Sequence, residues 1–276
     1  MEGIVRHVFM EVAVAAGWLL VAGAAVAAVG PPSGPLTVCP PDAVVSGPGC
    51  MDRYEASVWR VPNATTANRA LVTKIQRGVA TVVDLTAGGA TQLGTTSADY
   101  APCADNGQNC AHDIFAVSLA GVTPSASISW FQAQQACRNS GKRLPSNAEW
   151  QVAVADTPDP GPDNGTTDCN TASTGVAALT GSRRSCVSSR GAFDMVGNLN
   201  EWVAEWLPQS TVCGAWSPDV SPTGDFQCLA GAATVGEPGA LLRGGSFLQG
   251  ANAGPLAVIG YEPTVQDITV GFRCAR

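Results

Sequence analysis

The chain has 276 residues, 45% of them hydrophobic, enough to bury one large core. Only 13% are charged, the net charge is −7 and no basic run occurs, which argues against a nucleic-acid partner. Glycine (31) and proline (19) are plentiful, so short elements joined by ordered loops are expected.

Residues 1–28 read as a secretory signal peptide. Arg6 and His7 lie near the start, apolar residues run from Val12 to Val29, and Ala25-Val26-Ala27 is a small-residue cleavage site. An uncleaved membrane anchor is the competing reading, because the apolar run is long enough to span a bilayer. Residues 29–38 form a Pro/Gly linker that favours cleavage, so a secreted or periplasmic protein free of the membrane is expected. All ten cysteines follow the leader, and an even number in an exported chain reads as disulfides. Spacing suggests local clips: Cys39–Cys50, Cys103–Cys110, Cys169–Cys186 and Cys213–Cys228.

Residues 39–59 make a hairpin-like unit. Residues 71–75 and 80–85 are apolar with β-branched members and read as strands of a meander broken at Gly88-Gly89. Ser129 with Gln132 forms a capping box for a helix that ends at Gly141, and Trp130, Ala133, Ala136 and Cys137 share its inward face. Ser146 with Glu149 caps a second helix, whose Trp150, Ala153 and Val154 face the core. Residues 156–168 are acidic and glycine-rich without EF-hand spacing, and read as a solvated loop. Residues 213–239 are loop-like; 241–243 and 270–276 read as strands.

The chain is organised around residues 191–206, GAFDMVGNLNEWVAEW. Gly197 permits a tight turn beside Asn198 and Glu201, whose side-chain oxygens are the kind a calcium ion takes. The competing reading is a buried turn whose polar groups satisfy one another. Trp202 and Trp206, four apart, share a face if a helical turn follows.

DMVGNLNEWV resembles the signature of the formylglycine-generating enzyme (sulfatase-modifying factor) family. Its companions stand in the family's order: Gly141-Lys142-Arg143-Leu144-Pro145-Ser146 with Ala148-Glu149-Trp150, then Arg243-Gly244-Gly245-Ser246-Phe247, then Gly271-Phe272-Arg273-Cys274. The resemblance covers 52–276 and implies an α+β fold over 39–276. That fold is a single loop-rich, disulfide-clipped domain of the family's variant of the C-type-lectin fold. It also implies a disulfide joining Cys137 to Cys274, and calcium held by Asn198 and Glu201 with help from Glu55 on the opening strand, for which the competing reading is a strand carboxylate paired with Arg53 or solvent. A second calcium in relatives corresponds here to Asn170 alone, with Cys169–Cys186 spanning the same segment in place of the clip.

Active members oxidise a substrate cysteine with copper(I) held by two thiolates just past the RGGS motif. The positions corresponding to those thiolates are Gln249 and Gly254, neither of which binds copper(I), so no copper is expected. His112 is the only histidine after the leader, which excludes a histidine-ligated iron site. Gly244-Gly245-Ser246 reads as a β-bulge, with a donor-lined groove as the alternative. Two functions follow. One is a non-catalytic module that uses the family's groove to bind a peptide, glycan or protein. The other is an oxidoreductase of altered mechanism whose site is lined by Arg243, Ser246 and Gln249.

Overall fold

In the computed structural model, which describes residues 38–232 and 238–276, the strands are divided among three sheets. The expected signal peptide and all of the linker but Val38 lie outside the described residues. Strands β1 (Ala43–Ser46) and β2 (Gly49–Asp52) form a hairpin turned by Gly47 at φ +59°. Strand β3 (Ala56–Arg60) is the middle of a second, antiparallel sheet with β4 (Thr91–Leu93) and β5 (Ile114–Ser118) on its flanks.

Between β3 and β4 the structure overturns the expected meander: residues 69–76 and 82–87 are helices α1 (Arg69–Gln76) and α2 (Val82–Ala87). Leu71 and Ile75 are one helical turn apart, and both are buried on one face of α1. Thr81 and Asp84 form a reciprocal capping box that starts α2. Local capping and tertiary burial thus outweigh the β-branched content that suggested strands.

Helices α3 (Trp130–Asn139) and α4 (Asn147–Ala153) carry the capping boxes read from the sequence, Ser129 with Gln132 and Ser146 with Glu149. The largest sheet comprises β6 (Asn200–Leu207), β7 (Val212–Ala215), β8 (Phe226–Ala230), β9 (Gly239–Arg243), β10 (Val258–Tyr261) and β11 (Val270–Phe272). Its order is β11-β6-β9-β10-β8-β7, with β11–β6 and β10–β8 parallel. The helical turn on which a shared face of Trp202 and Trp206 was conditional does not follow Asn198, and the chain continues as strand β6. Gly197 and Asn198, at φ +70° and +57°, turn the chain, and pairing with β9 and β11 then extends it. Trp202 is fully buried in the main core beside Leu242, Phe272 and Ile128. Trp206 stays 43% exposed, edge-on to Trp130 at 5.0 Å.

The architecture is α+β and loop-rich, clipped by five disulfides: Cys39–Cys50, Cys103–Cys110, Cys137–Cys274, Cys169–Cys186 and Cys213–Cys228. No helix among the described residues is long and apolar enough to cross a membrane.

Candidate functional site

The turn before β6 is a dense, buried hydrogen-bond network. A Cβ at Gly197 would lie 2.3 Å from the carbonyl oxygen of Asn170, so only glycine lets the two backbones meet there. Asn198 Oδ1 accepts from the Ala178 N–H at 2.7 Å and from Asn170 Nδ2 at 3.0 Å. Asn198 Nδ2 donates to Glu55 Oε2, while the Leu199 N–H donates to Glu55 Oε1 at 3.0 Å. Glu201 faces elsewhere. Arg273 grips both of its oxygens through Nε and donates to Oε1 through Nη2 at 2.5 Å. Trp150 Nε1 donates to Oε2 at 2.7 Å. Asn170 Oδ1 accepts from Thr174 and from the buried Arg183.

These donor assignments decide whether the group fits calcium. A carboxylate offers about four lone-pair positions and an amide oxygen about two. Glu201, Asn198 and Asn170 have theirs filled by N–H and O–H donors, which leaves only Glu55 with capacity. One carboxylate does not make the six to eight oxygens a calcium ion needs. The four expected ligands, Asn198, Glu201, Glu55 and Asn170, as arranged, do not fit the ion. Among the described residues no group of three or more His, Cys, Asp or Glu side chains is set to hold a metal.

The network carries excess acid. Burial, with Asp194 and Glu201 nearby, pushes the Glu55 carboxyl well above the ordinary range. Burial also pushes Asp194 up to about 7, opposed by the Gly181 N–H and Arg273. Asp194 and Arg183 were not singled out from the sequence; an acid within DMVGN, just before a buried turn, was the available signal. The loop 156–168 is likewise more ordered than expected. Asp163 Oδ2 accepts the N–H groups of Thr171 and Ala172, each at 2.8 Å, in place of solvent.

The RGGS segment leaves β9 through Gly244 and Gly245, at φ +86° and +79°. Two of the three groove candidates point into the protein. Side chains alternate along β9, so Arg243 lies on the face opposite Leu242. Its guanidinium donates to the carbonyls of Pro255 and Ala257 and stacks 4.6 Å over Trp150. Ser246 is 1% exposed, and its N–H donates to Gln249 Oε1 at 2.6 Å. Gln249 lines a cavity.

That cavity is an open depression of about 180 Å³ on the large sheet. Leu242 and Ile259, which are register partners, give it an apolar floor with Val270. Gln249 and Asn200 supply amides, and Tyr261 and Asp267 stand at an exposed rim. Asn200 shares a face with Trp202 by strand alternation, a placement the sequence allowed once β6 was known to be a strand. A second depression of about 200 Å³ lies between Phe247, Ile268 and Val176. His112 lines a different cavity, with Arg69 and Gln76, and belongs to neither lining.

A family model, the sulfatase-modifying factor enzyme 1-like domain, matches residues 95–276. The chain belongs to this family. The formylglycine-generating enzyme of Streptomyces coelicolor is 30% identical over 177 residues, 55% of this chain and 52% of the relative. The chain thus spans about half the length of that curated relative. Among solved structures, the Major Tropism Determinant M1 variant covers 87% of this chain and 53% of its own at 17% identity, with a TM-score of 0.47. PvdO from Pseudomonas aeruginosa covers 83% and 80% at 17% identity, with a TM-score of 0.41. Likenesses at this level carry no argument about function.

Against the family's copper chemistry, two residues in this sulfatase-modifying factor domain matter most. Gln249 is fastened to Ser246, and at 254 a Cβ would lie 2.3 Å from the Asp225 carboxylate. Asp225 is itself fixed, accepting from Ser221 Oγ and from the Leu256 N–H, each at 2.7 Å. All ten cysteines are in disulfides, so no thiolate remains to bind copper(I).

Proposed function

We propose that this chain is an exported, non-catalytic member of the sulfatase-modifying factor family that binds a ligand at the Gln249 depression. The observation that carries the reading is the rebuilt second thiolate position. Gly254 is packed against a buried, hydrogen-bonded Asp225 that leaves no room for a cysteine side chain. The depression is smaller than the few hundred Å³ of a substrate-engulfing site, and suits docking one side chain or end group of a peptide, glycan or protein. Export is supported by five disulfides, which persist in oxidising compartments, and by the leader-like N-terminus. The altered oxidoreductase reading loses support, because Arg243 and Ser246 are spent on packing.

The test is to load the purified protein with copper(I), remove free metal, and incubate it with oxygen and a cysteine-containing peptide. Metal analysis is expected to find no copper retained, and mass spectrometry to find the peptide cysteine unchanged. One copper per chain, or conversion of the cysteine to an aldehyde, would overturn the proposal.

A further inference from the structure

One residue that lines the Gln249 depression carries a polar atom with nothing to bond. Asn200 is 5% exposed, and its Oδ1 is buried without a hydrogen-bond partner. Its Nδ2 meets only the Thr269 carbonyl, at 3.4 Å. A buried carbonyl oxygen left unsatisfied is costly, so on a residue that lines a cavity it marks where an incoming donor would be stabilised. Exchanging the amide ends does not help, since it would set an oxygen against the Thr269 carbonyl.

The surroundings specify which donor. The lining contains one acid, Asp267, and no Lys, Arg or His, so the local field favours a cation. Asp267 is exposed at the rim, oriented by Thr269, whose N–H and Oγ1 donate to its Oδ1 at 2.8 and 2.6 Å. Tyr261 is 36% exposed and adds an aromatic wall of the kind that attracts ammonium groups. Leu242 and Ile259 beneath match a short alkyl stem.

We infer that the depression over β6, β9 and β10 takes a primary ammonium group on an alkyl chain, donating to Asn200 Oδ1 and paired with the Asp267 carboxylate. The inference rests on the binding-module reading and names its ligand chemistry. The ammonium comes either from a free alkylamine or from a lysine side chain of a peptide or protein.

The experiment titrates the full mature chain with n-butylammonium, butan-1-ol, butanoate and an end-capped Gly-Gly-Lys-Gly-Gly peptide, following by NMR the backbone amides of Leu242, Thr269 and Val270, which line the depression and are kept in every variant. Saturable shifts are expected with butylammonium and the lysine peptide, and affinity at least about tenfold weaker for butanol. Tighter binding of the peptide than of butylammonium assigns the site to protein lysines; the reverse assigns it to small amines. Asn200→Leu should abolish the response, and Asp267→Asn should remove its dependence on salt, since an exposed ion pair is screened. Should Asp267→Asn disturb the loop, salt dependence in the unaltered protein gives the same information. Equal binding of butanol or butanoate, or no saturable shift with either ammonium, overturns the inference. If the copper and peptide-oxidation tests are negative at the same time, only the ligand assignment falls.

Discussion

Glu201 commits both oxygens to Arg273 and Trp150 in a setting where all three side chains are buried. Removing one partner of such a pair leaves an uncompensated charge and costs roughly 3–5 kcal/mol. Arg273→Met is therefore expected to lower stability by about that amount in urea unfolding with disulfides intact; a loss below about 1 kcal/mol would show that water reaches the site. The same filled lone pairs predict that excess EDTA leaves the melting temperature unchanged and that calorimetry detects no calcium binding. A rise in melting temperature with millimolar calcium would show that the donors rearrange around the ion. The residue types at this centre were legible in the sequence; Glu55 beside Asn198 was one of two open readings, the one the resemblance implied, and the structure shows that contact. Which lone pairs are taken was not, because Arg183 and Arg273, which fill lone pairs of Asn170 and Glu201, reach them from segments outside 191–206.

Gly244 turns the chain out of β9 in a conformation an L side chain rarely adopts, and its missing Cβ would sit 2.9 Å from the Met195 carbonyl and 3.2 Å from Trp150. Gly244→Ala combines both penalties and should cost about 1–3 kcal/mol, while loosening the stack of Arg243 on Trp150. Near-ultraviolet circular dichroism of tryptophan checks this; an unchanged spectrum at unchanged stability would count against it. At the start of α4, Ser146→Ala removes one half of a capping box and should cost about 1 kcal/mol. Helices with such signals, α3 and α4, could be read directly from residue spacing. Helix α1 was hidden because its eight residues include Val72, Thr73 and Ile75, and its inward face rests on only Leu71 and Ile75. Strand β6 was obscured because two tryptophans four apart satisfy both a helical turn and an even strand spacing.

Across the whole molecule, Cys137–Cys274 ties α3 to the residues just past β11 over 137 positions of chain, and in the chain-entropy account a loop of that length is worth about 5 kcal/mol. The local clips could be paired from proximity in sequence, but the balance of buried charge could not, because it depends on how far each carboxyl lies from water. That balance predicts an unusual pH profile. Asp194 stands at about 7 in the folded chain against an ordinary 3.8, and Glu55 is raised in the same direction, both chiefly by burial. Between those two values the folded protein holds a proton that the unfolded chain has released, so stability falls as pH rises. The contribution is fully present below about pH 4 and is lost as pH climbs through about 7; for Asp194 the displacement corresponds to about 4 kcal/mol. Glu149 acts in the opposite sense, held at about 2 by its hydrogen bonds to Arg143, so its stabilisation is lost only as pH drops below the ordinary 4.5. Urea unfolding should therefore show a maximum near pH 4–5 and a decline toward pH 8, flattened in Asp194→Asn, whose amide oxygen can still accept from the Gly181 N–H. Stability that instead rises from pH 5 to pH 8 would mean that Arg183 and Arg273 outweigh burial and hold Asp194 ionised throughout.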